Sequence, residues 1–260
     1  MSIRSTALAK WLSRLELRCR LSDADRATAA ALPGRVEVFG SGRDIVELGD
    51  RVSHCCLVAE GLVARFGQVE SGPRQFTAFY LPGDMGDLHS AVLPRITAPL
   101  QSAVQATVIF VPHADVLDAA ERSPALARAF WRDCVVDAQV AAEWMLNNGR
   151  RDARGRVAHL LCELNCRYAR IGESGHGFPV DFTQAQLADA AGLTPVHVNR
   201  ILRGLREEGA IEVRDRRATV MNWDLLRRIG GFDPAYLHLE PGEGGSSAEP
   251  AAPAGWPAAT

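Results

Sequence analysis

The chain has 260 residues, of which 47% are hydrophobic, so it is long enough to bury more than one apolar core and two domains are expected. No apolar run is long enough to span a bilayer, and the N-terminus lacks the apolar core and cleavage site of a signal peptide, so we expect a cytoplasmic protein without membrane contact. The formal net charge of -2 becomes informative only when it is divided along the chain.

The N-terminal residues 1–34 predict short helices that pack on the domain that follows, with Ser22 as the N-cap of the second. Over residues 36–111 the pattern changes to short β-prone runs separated by turns, among them the Leu-Pro-Gly-Asp turn at 81–84. Such spacing is typical of a sandwich or jelly roll. Pro112 marks the exit from this β region.

A long helix is predicted from Ser123 to Gly149, because apolar residues recur there at helical spacing without interruption by Gly or Pro. Its position between two domains suits a dimerisation element. The alternative is that its apolar stripe packs only on its own β domain. A second helix, about residues 151–171, leads into the next unit. Residues 239–260 are rich in Gly, Pro, Ala, Ser and Glu, and we expect them to form a disordered tail.

Residues 182–206 predict two short helices joined by a tight turn. Thr183 and Gln186 have the spacing of a capping box, and Gly192 ends the first helix. Thr194 is a second N-cap and Pro195 suits the first helical position. Small and apolar residues on the two helices are spaced as two steeply crossing helices require, so the stretch predicts a helix-turn-helix. An ordinary helical hairpin is the alternative.

The second of these helices leaves a largely polar face of the kind that a recognition helix presents to the major groove. After it, β-prone runs flank a charged turn at 214–217, which predicts a wing whose arginines meet phosphates. Residues 150–228 hold fourteen Arg against ten acidic residues, a net charge of +4, whereas residues 1–149 carry -2 and the remainder -4. The predicted DNA contacts are Gln184, Thr194, Val196, His197, Asn199, Arg200, Arg203, Arg214 and Arg216.

This order of parts resembles the Crp/Fnr family of bacterial transcription regulators. The resemblance covers about residues 10–238. It rests most specifically on the helix-turn-helix and on the turn at 81–84, and further on the predicted strand pair that begins with His54 and on the Phe-Asp-Pro-Ala-Tyr-Leu segment at 232–237.

The resemblance implies an α+β fold: an N-terminal β jelly roll with a long dimerisation helix and a C-terminal winged helix-turn-helix. The implied divisions are a cyclic-nucleotide-binding-like sensor domain at 1–122, the connecting helix at 123–149, the DNA-binding domain at 150–238 and the tail at 239–260. Family members are homodimers that read palindromic double-stranded DNA. We therefore expect a transcription regulator and no enzyme, with RNA polymerase as a candidate further partner.

The sequence departs from the cyclic-AMP-binding members of that family. In those members a Gly-Glu-Leu turn holds the ribose and an Arg-Ser or Arg-Thr pair grips the cyclic phosphate. The corresponding residues, a candidate effector pocket, are Gly86, Asp87, Leu88, Gln101 and Ser102. Because the guanidinium is missing, a bound phosphate would lose its bidentate partner, and we expect that cyclic AMP is not the effector. The effector stays unidentified.

Cysteines and histidines give no support for a cofactor. Cys19 is the sole cysteine in the N-terminal region, whereas oxygen-sensing members hold an iron–sulfur centre with a cysteine cluster there. Cys162 and Cys166 lie one helical turn apart and could chelate a metal or sense an oxidant, but two thiols supply half of a tetrahedral site. We expect no metal site and no bound cofactor.

The recognition helix departs from the family as well. Many members carry a glutamate at the position of Val196, where it accepts from cytosine, and an arginine at Arg200, where it binds guanine. Val196 cannot accept a hydrogen bond but can touch a thymine methyl, which predicts a different operator. Two other hypotheses remain: a cupin-like metal-binding barrel, which lacks its histidine and glutamate set, and a protein-interaction module whose winged helix does not read DNA.

Overall fold

The structure is a computed structural model that describes residues 2–70, 72–172, 177–180 and 182–239. The predicted tail therefore lies outside the described residues from residue 240 onward, as do parts of the turns expected near residues 71 and 174. The described chain is an α+β protein with two N-terminal sheets, long central helices and a C-terminal helix-turn-helix, as predicted. None of its described helices is long and apolar enough to cross a membrane.

Two helices, α1 (Ile3–Arg18) and α2 (Asp23–Ala30), open the chain. Ser22 caps α2 and forms a capping box with Asp25. The apolar face of α1 is buried, and Trp11 stacks on Phe130 with ring centroids 5.3 Å apart. The N-terminal helices therefore pack on the β region and on the long helix that follows it.

The β region consists of two antiparallel sheets with strand orders β1-β7-β3 and β2-β6-β4-β5. Apolar side chains such as Val58, Val63 and Val108 form the core between them. The central strand β7 pairs with both neighbours, so that Val108 lies opposite Glu37 on one side and Val58 on the other. The strands are β1 (Arg35–Phe39), β2 (Asp44–Val46), β3 (His54–Glu60), β4 (Val63–Gln68), β5 (Arg74–Tyr80), β6 (Leu100–Ser102) and β7 (Ala106–Pro112).

Three helices and a short 3₁₀ turn at Leu88–Ala91 complete this half of the molecule. Helix α3 (His113–Arg122) begins directly after β7 and was not predicted. Helix α4 (Pro124–Arg150) corresponds to the predicted long helix, with Ser123 as its N-cap. Helix α5 (Ala153–Arg170) corresponds to the predicted second helix. Helix α4 buries one apolar face against its own chain, while other apolar side chains on it are exposed.

The C-terminal part contains the predicted helix pair, α6 (Gln184–Ala191) and α7 (Pro195–Glu207), and the predicted hairpin, β9 (Ile211–Arg214) and β10 (Arg217–Val220). Strand β8 (Phe178–Pro179) extends this hairpin to a three-stranded sheet of order β8-β10-β9, which was not predicted. Helix α8 (Trp223–Gly230), also unpredicted, and a 3₁₀ turn at Pro234–Leu237 complete the described chain.

One apolar cluster runs from the β region into the C-terminal part. Phe79 of β5 stacks on Phe182, which precedes α6, with centroids 5.9 Å apart, and meets the edge of Trp144 of α4 at 5.4 Å. All three aromatic rings are buried. The roll, the long helix and the helix-turn-helix are therefore packed against one another through a common core.

Candidate nucleic-acid interface

The turn between α6 and α7 is held by local hydrogen bonds that the sequence specifies. The Thr183 hydroxyl accepts from the amide of Gln186, and Oε1 of Gln186 accepts from the amide of Thr183 at 2.7 Å. Gly192 adopts φ 62° and ψ 43°, the left-handed conformation that glycine takes without steric cost. The Thr194 hydroxyl accepts from the amide of His197 and starts α7, with Pro195 at its first position. These caps fix where α7 begins.

Helix α7 separates its apolar and polar side chains cleanly. Val198, Ile201 and Leu205 are buried, whereas Arg200 and Arg203 are exposed. Val196 is 81% exposed, so its side chain is open to solvent on this face. This face therefore presents two guanidinium groups and one isolated apolar side chain to an incoming ligand.

Two of the predicted contact residues lie together at the N-terminal ends of the two helices. Asn199 of α7 donates from Nδ2 to Oε1 of Gln184 in α6 at 3.0 Å. His197 is half-buried, and Thr194 is exposed although its hydroxyl is used as a cap. The bond between Asn199 and Gln184 joins the polar edges of both helices into one surface.

The wing is a two-residue hairpin. Asp215 and Arg216 have φ of 50° and 58°, the positive values that a type I′ turn requires at both central positions. Arg214 lies 3.2 Å from Glu212 in an exposed ion pair, which contributes little stability. Both arginines are exposed beside the helix pair. The wing therefore adds positive charge next to the exposed face of α7.

Comparisons with known proteins support this geometry. The model of the Crp-like helix-turn-helix domain matches residues 155–229. The fumarate and nitrate reduction regulatory protein of Shigella dysenteriae is 23% identical over 197 residues, which are 76% of this chain and 79% of the relative. The regulatory protein HlyX of Actinobacillus pleuropneumoniae is 24% identical over 215 residues, 83% of this chain and 90% of the relative.

A solved structure, FixK2 from Bradyrhizobium japonicum, superposes with a TM-score of 0.69 at 25% identity and covers 76% of this chain and 98% of its own. The fold and the helix-turn-helix thus agree with the same group of regulators. Residues 155–229 match the Crp-like helix-turn-helix domain, and the chain is a DNA-binding transcription regulator similar to those of the Crp/Fnr type.

In this regulator, side chains of the β region and of α4 are hydrogen-bonded to one another beside Gly86, in the first half of the candidate effector pocket. Arg65 donates to the carbonyl of Gly86 at 2.5 Å and to Asp137 of α4 at 2.8 Å. Tyr80 donates from its hydroxyl to the same carboxylate at 2.9 Å. A Cβ on Gly86 would lie 2.7 Å from the Tyr80 ring. The roll is therefore tied to α4 without a ligand.

Asp87 and Leu88 of that pocket are buried. The Cys56 amide donates to Oδ1 of Asp87 at 2.6 Å, while Oδ2 has no hydrogen-bond partner in the described part of the chain. Burial raises the pKa of Asp87 to about 6. A carboxylate in this setting accepts from the backbone of β3 and supports the turn locally.

Gln101 and Ser102, the second half of the candidate pocket, support a different turn. Gln101 donates from Nε2 to the Gly42 carbonyl and to Asp44, each at 3.0 Å. Ser102 donates to the Gly40 carbonyl at 2.6 Å. Both side chains are buried and hydrogen-bonded to the loop before β2. Arg74 of β5 also donates to Oε1 of Gln101, so its guanidinium is engaged there by the amide. Gln101 and Ser102 therefore do not supply the arginine–serine pair of the cyclic-AMP-binding members.

The cysteines of this regulator are free thiols, and most are buried. Burial raises the pKa of Cys166 to about 12 and raises that of Cys162 as well, so neither is a thiolate near neutral pH. Across the described residues, no group of three or more His, Cys, Asp or Glu side chains is placed to hold a metal ion.

A network that the sequence did not reveal centres on Asp84, the last residue of the Leu-Pro-Gly-Asp turn. Its two oxygens bind Arg14 of α1 at 2.5 Å and Arg167 of α5 at 2.7 Å. Arg167 also binds Glu163 at 2.9 Å. Although burial acts in the opposite direction, the two guanidinium groups hold the pKa of Asp84 below its usual range. The turn thus joins the N-terminal helix to α5.

The C-terminal end of α6 is held by side chains from three other elements. Gln75 of β5 donates to the carbonyls of Asp189 and Ala190 at 2.6 and 3.2 Å. Asn148 of α4 donates to the Ala190 carbonyl at 3.1 Å, and Arg156 of α5 donates to the Ala191 carbonyl at 3.4 Å. These bonds satisfy carbonyls that a helix end leaves free, and they fix the helix-turn-helix to the roll.

Proposed function

We propose that this regulator binds a palindromic double-stranded operator as a homodimer, with one α7 in each of two successive major grooves. The observation that supports this most directly is the exposed face of α7, where Val196, Arg200 and Arg203 stand free beside a basic wing. A two-fold dimer places its recognition helices about 34 Å apart, one turn of B-DNA. Cytoplasmic location follows from a bacterial DNA target, and RNA polymerase is a candidate further partner.

A continuous exposed stripe on α4 supports the homodimer. Its positions alternate by four and three residues, the spacing of a coiled-coil seam. Trp131 and Met145 are each 74% exposed, and Val135 is 46% exposed. An exposed apolar stripe of this length would promote aggregation of a monomer, and a second copy of α4 would bury it. The positions are Trp131, Val135, Ala138, Ala142, Met145 and Gly149.

The exposed residues of α7 suggest how each half-site is read. Arg200 has the donors to bind guanine bidentately, and Val196 offers a methyl-sized contact to thymine. Arg203, one turn further along the helix, and the wing residues Arg214 and Arg216 suit phosphates, which position the protein without specifying sequence. His197, Asn199, Gln184 and Thr194 lie at the edge of this face and suit the flanking backbone.

Effector control of the cyclic-AMP type is not part of this proposal. The side chains of Arg65 and Tyr80 already bridge the roll to Asp137 of α4, and Gln101 replaces the phosphate-binding arginine. We therefore expect operator affinity to be the same with and without cyclic AMP.

The test is selection of bound sequences from a random duplex library at two salt concentrations, with wild-type protein, Arg200→Ala and Arg203→Ala. Wild-type protein should select a palindrome. Arg200→Ala should lose about 1–3 kcal/mol of binding free energy and relax the preference at one symmetric base pair. Arg203→Ala should weaken binding to all sequences alike and reduce the slope of log affinity against log salt by about one. Selection of a single unpaired site, or of no sequence, would contradict the proposal.

A further inference from the structure

A cavity of about 100 Å³ lies between α1, the turn at 81–84 and α5, where the roll meets the DNA-binding part. Its walls are unusually rich in cations for so small a space, with Asp84 as the acidic side chain among them. The cationic lining residues are Lys10, Arg14, Arg18, Arg167 and Arg170.

The cations around this cavity exceed the carboxylates that pair with them. Arg14 and Arg167 are neutralised by Asp84, Asp133 and Glu163. Lys10 and Arg170, by contrast, have no carboxylate within ion-pair distance among the described residues. Lys10 is half-buried and Arg170 is exposed, so these two charges are accessible to an incoming anion.

Arg18 adds a buried donor that lacks an acceptor. Its side chain is 3% exposed, and its Nε, 3.6 Å from Asp133, has no hydrogen bond in the described part of the chain. Its Nη1 donates to the carbonyls of Leu237 and His238. Burial, together with the nearby Arg14, lowers the pKa of Arg18 to about 10. An unsatisfied buried donor costs stability unless a ligand or water supplies the acceptor.

Lys10 is the single lysine of the whole chain, in which all other basic side chains that carry permanent charge are arginines. It lies where the turn presses on α1, since a Cβ on Gly83 would be 2.7 Å from the Lys10 Cβ. A lysine ammonium is a compact point charge suited to a phosphate oxygen, and arginine supplies paired donors to the same group. The cavity offers both kinds of cation.

We propose that this cavity binds a phosphate group, either inorganic phosphate or the phosphate of a small monoester. Lys10 and Arg170 would balance its two negative charges, and Arg18 would donate to an oxygen. The cavity volume is several times the ~10–15 Å³ that one ordered water requires, enough for one tetrahedral oxyanion. The bound group bridges α1, the roll and α5, so we expect its binding to stiffen the junction that orients the helix-turn-helix. That effect on DNA binding rests on the proposed function, but the binding of phosphate itself does not.

The single lysine allows a direct test. Reductive methylation with ¹³C-formaldehyde labels Lys10 and the terminal amine of the full-length protein while keeping their positive charge. Titration with inorganic phosphate, followed by NMR, should move the Lys10 signal to a saturable limit and leave the terminal signal unchanged. Sodium chloride at equal ionic strength should not produce this movement. Arg170→Gln should weaken phosphate binding roughly tenfold or more, because it removes one of two balancing charges.

The control variant is Arg128→Gln, which removes an arginine of α4 away from the cavity lining and should bind phosphate as wild type does. A parallel titration with glycerol 1-phosphate separates the two sources, since tighter binding than that of phosphate identifies a monoester. The proposal is overturned if chloride moves the Lys10 signal as far as phosphate does, or if Arg170→Gln binds phosphate with unchanged affinity. Because DNA is absent from these titrations, their failure leaves the operator selection intact.

Discussion

Arg167 holds two buried carboxylates at once, Asp84 at 2.7 Å and Glu163 at 2.9 Å, and also donates to the Phe79 carbonyl at 2.7 Å. Arg167→Met keeps much of the side-chain volume but leaves buried charge without its partner. We expect a loss of about 3 kcal/mol in the free energy of unfolding, at the lower end for a broken buried pair because Arg14 still binds Asp84. Urea denaturation at pH 7 measures it.

Arg170→Met is the matched control for this substitution. Arg170 lies on the same helix three residues later and is exposed, so its replacement should change the free energy of unfolding by less than about 0.5 kcal/mol. If both variants lost the same free energy of unfolding, the ion pairs around Asp84 would not stabilise the protein more than an exposed arginine does.

The residue scale shows what local sequence can and cannot disclose. The caps at Ser22, Thr183 and Thr194 were predicted because each donor lies three residues from its acceptor. Asp84 was recognised only as part of a turn, since its partners are 70 and 83 residues away in sequence. The packing of α1 and α5 decides which distant charged side chains meet, and no short segment of the sequence reveals that packing.

His159 is a buried histidine in the C-terminal part, stacked on Tyr236 and 5.1 Å from the Phe232 ring centroid. Burial, and secondarily Arg151, lowers its pKa from 6.5 to about 4. Below pH 6.5, His159 therefore binds a proton in the unfolded chain but stays neutral in the folded protein until the pH approaches 4. The stability linked to His159 is complete above about pH 6.5 and is lost as the pH falls toward 4, up to roughly 3 kcal/mol.

The measurement is the free energy of unfolding at several pH values between 7.5 and 4.5 for wild-type protein and His159→Gln. Whatever its effect at neutral pH, the substitution should flatten the dependence of the free energy of unfolding on pH between 6.5 and 4.5, by up to the contribution of one bound proton. A slope identical to that of wild type would mean that His159 takes up its proton at the same pH in the folded and the unfolded chain.

At the scale of elements, α4 carries apolar side chains on two faces, and the described part of the chain covers one of them. Ala142→Glu places a charge in the middle of the exposed stripe, where two copies of α4 would meet closely at small residues. We expect the proposed dimer to dissociate, because burying an unpaired carboxylate at the seam costs several kcal/mol. Sedimentation equilibrium measures the mass of each species.

Gln139→Glu introduces the same change of charge on the same helix, at an exposed position outside the stripe. This variant should remain a dimer with wild-type affinity for itself. A dimer that survives Ala142→Glu but not Gln139→Glu would place the interface on another face of α4.

The elements that sequence pattern missed are the ones held by their neighbours. Strand β6 has only three residues and lies between β2 and β4, so its hydrogen bonds come from chain segments far away in sequence. Helix α3 begins at once after Pro112 and gives no separate start signal, and α8 is only eight residues long. By contrast α4, with 27 residues of uninterrupted apolar periodicity, was evident from the sequence alone.

At the scale of the whole molecule, the roll and the helix-turn-helix are joined by direct contacts as well as by the long helix. Gln75 of the roll caps α6, and Gln186 of α6 donates back to the Ala103 carbonyl of the roll. Together with the shared apolar cluster, these bonds give the recognition helix a fixed orientation toward α4. A change in the roll therefore has a short physical route to the DNA-contact face.

Phe79 lies at the centre of this junction, fully buried between Phe182 and Trp144. Phe79→Ala should cost about 3–5 kcal/mol, because it removes an aromatic ring and leaves a cavity. Since the surrounding cluster belongs to both halves, we expect one unfolding transition that moves as a unit to lower urea concentration. Far-UV circular dichroism and tryptophan fluorescence should give the same midpoint. The protein concentration is held fixed, because the unfolding midpoint of a dimer depends on it.

The control variant is Val38→Ala, at a 61% exposed position of β1, which should leave the midpoint nearly unchanged. Two separated transitions, of which Phe79→Ala moves only one, would instead show that roll and helix-turn-helix fold independently and that α4 alone couples them.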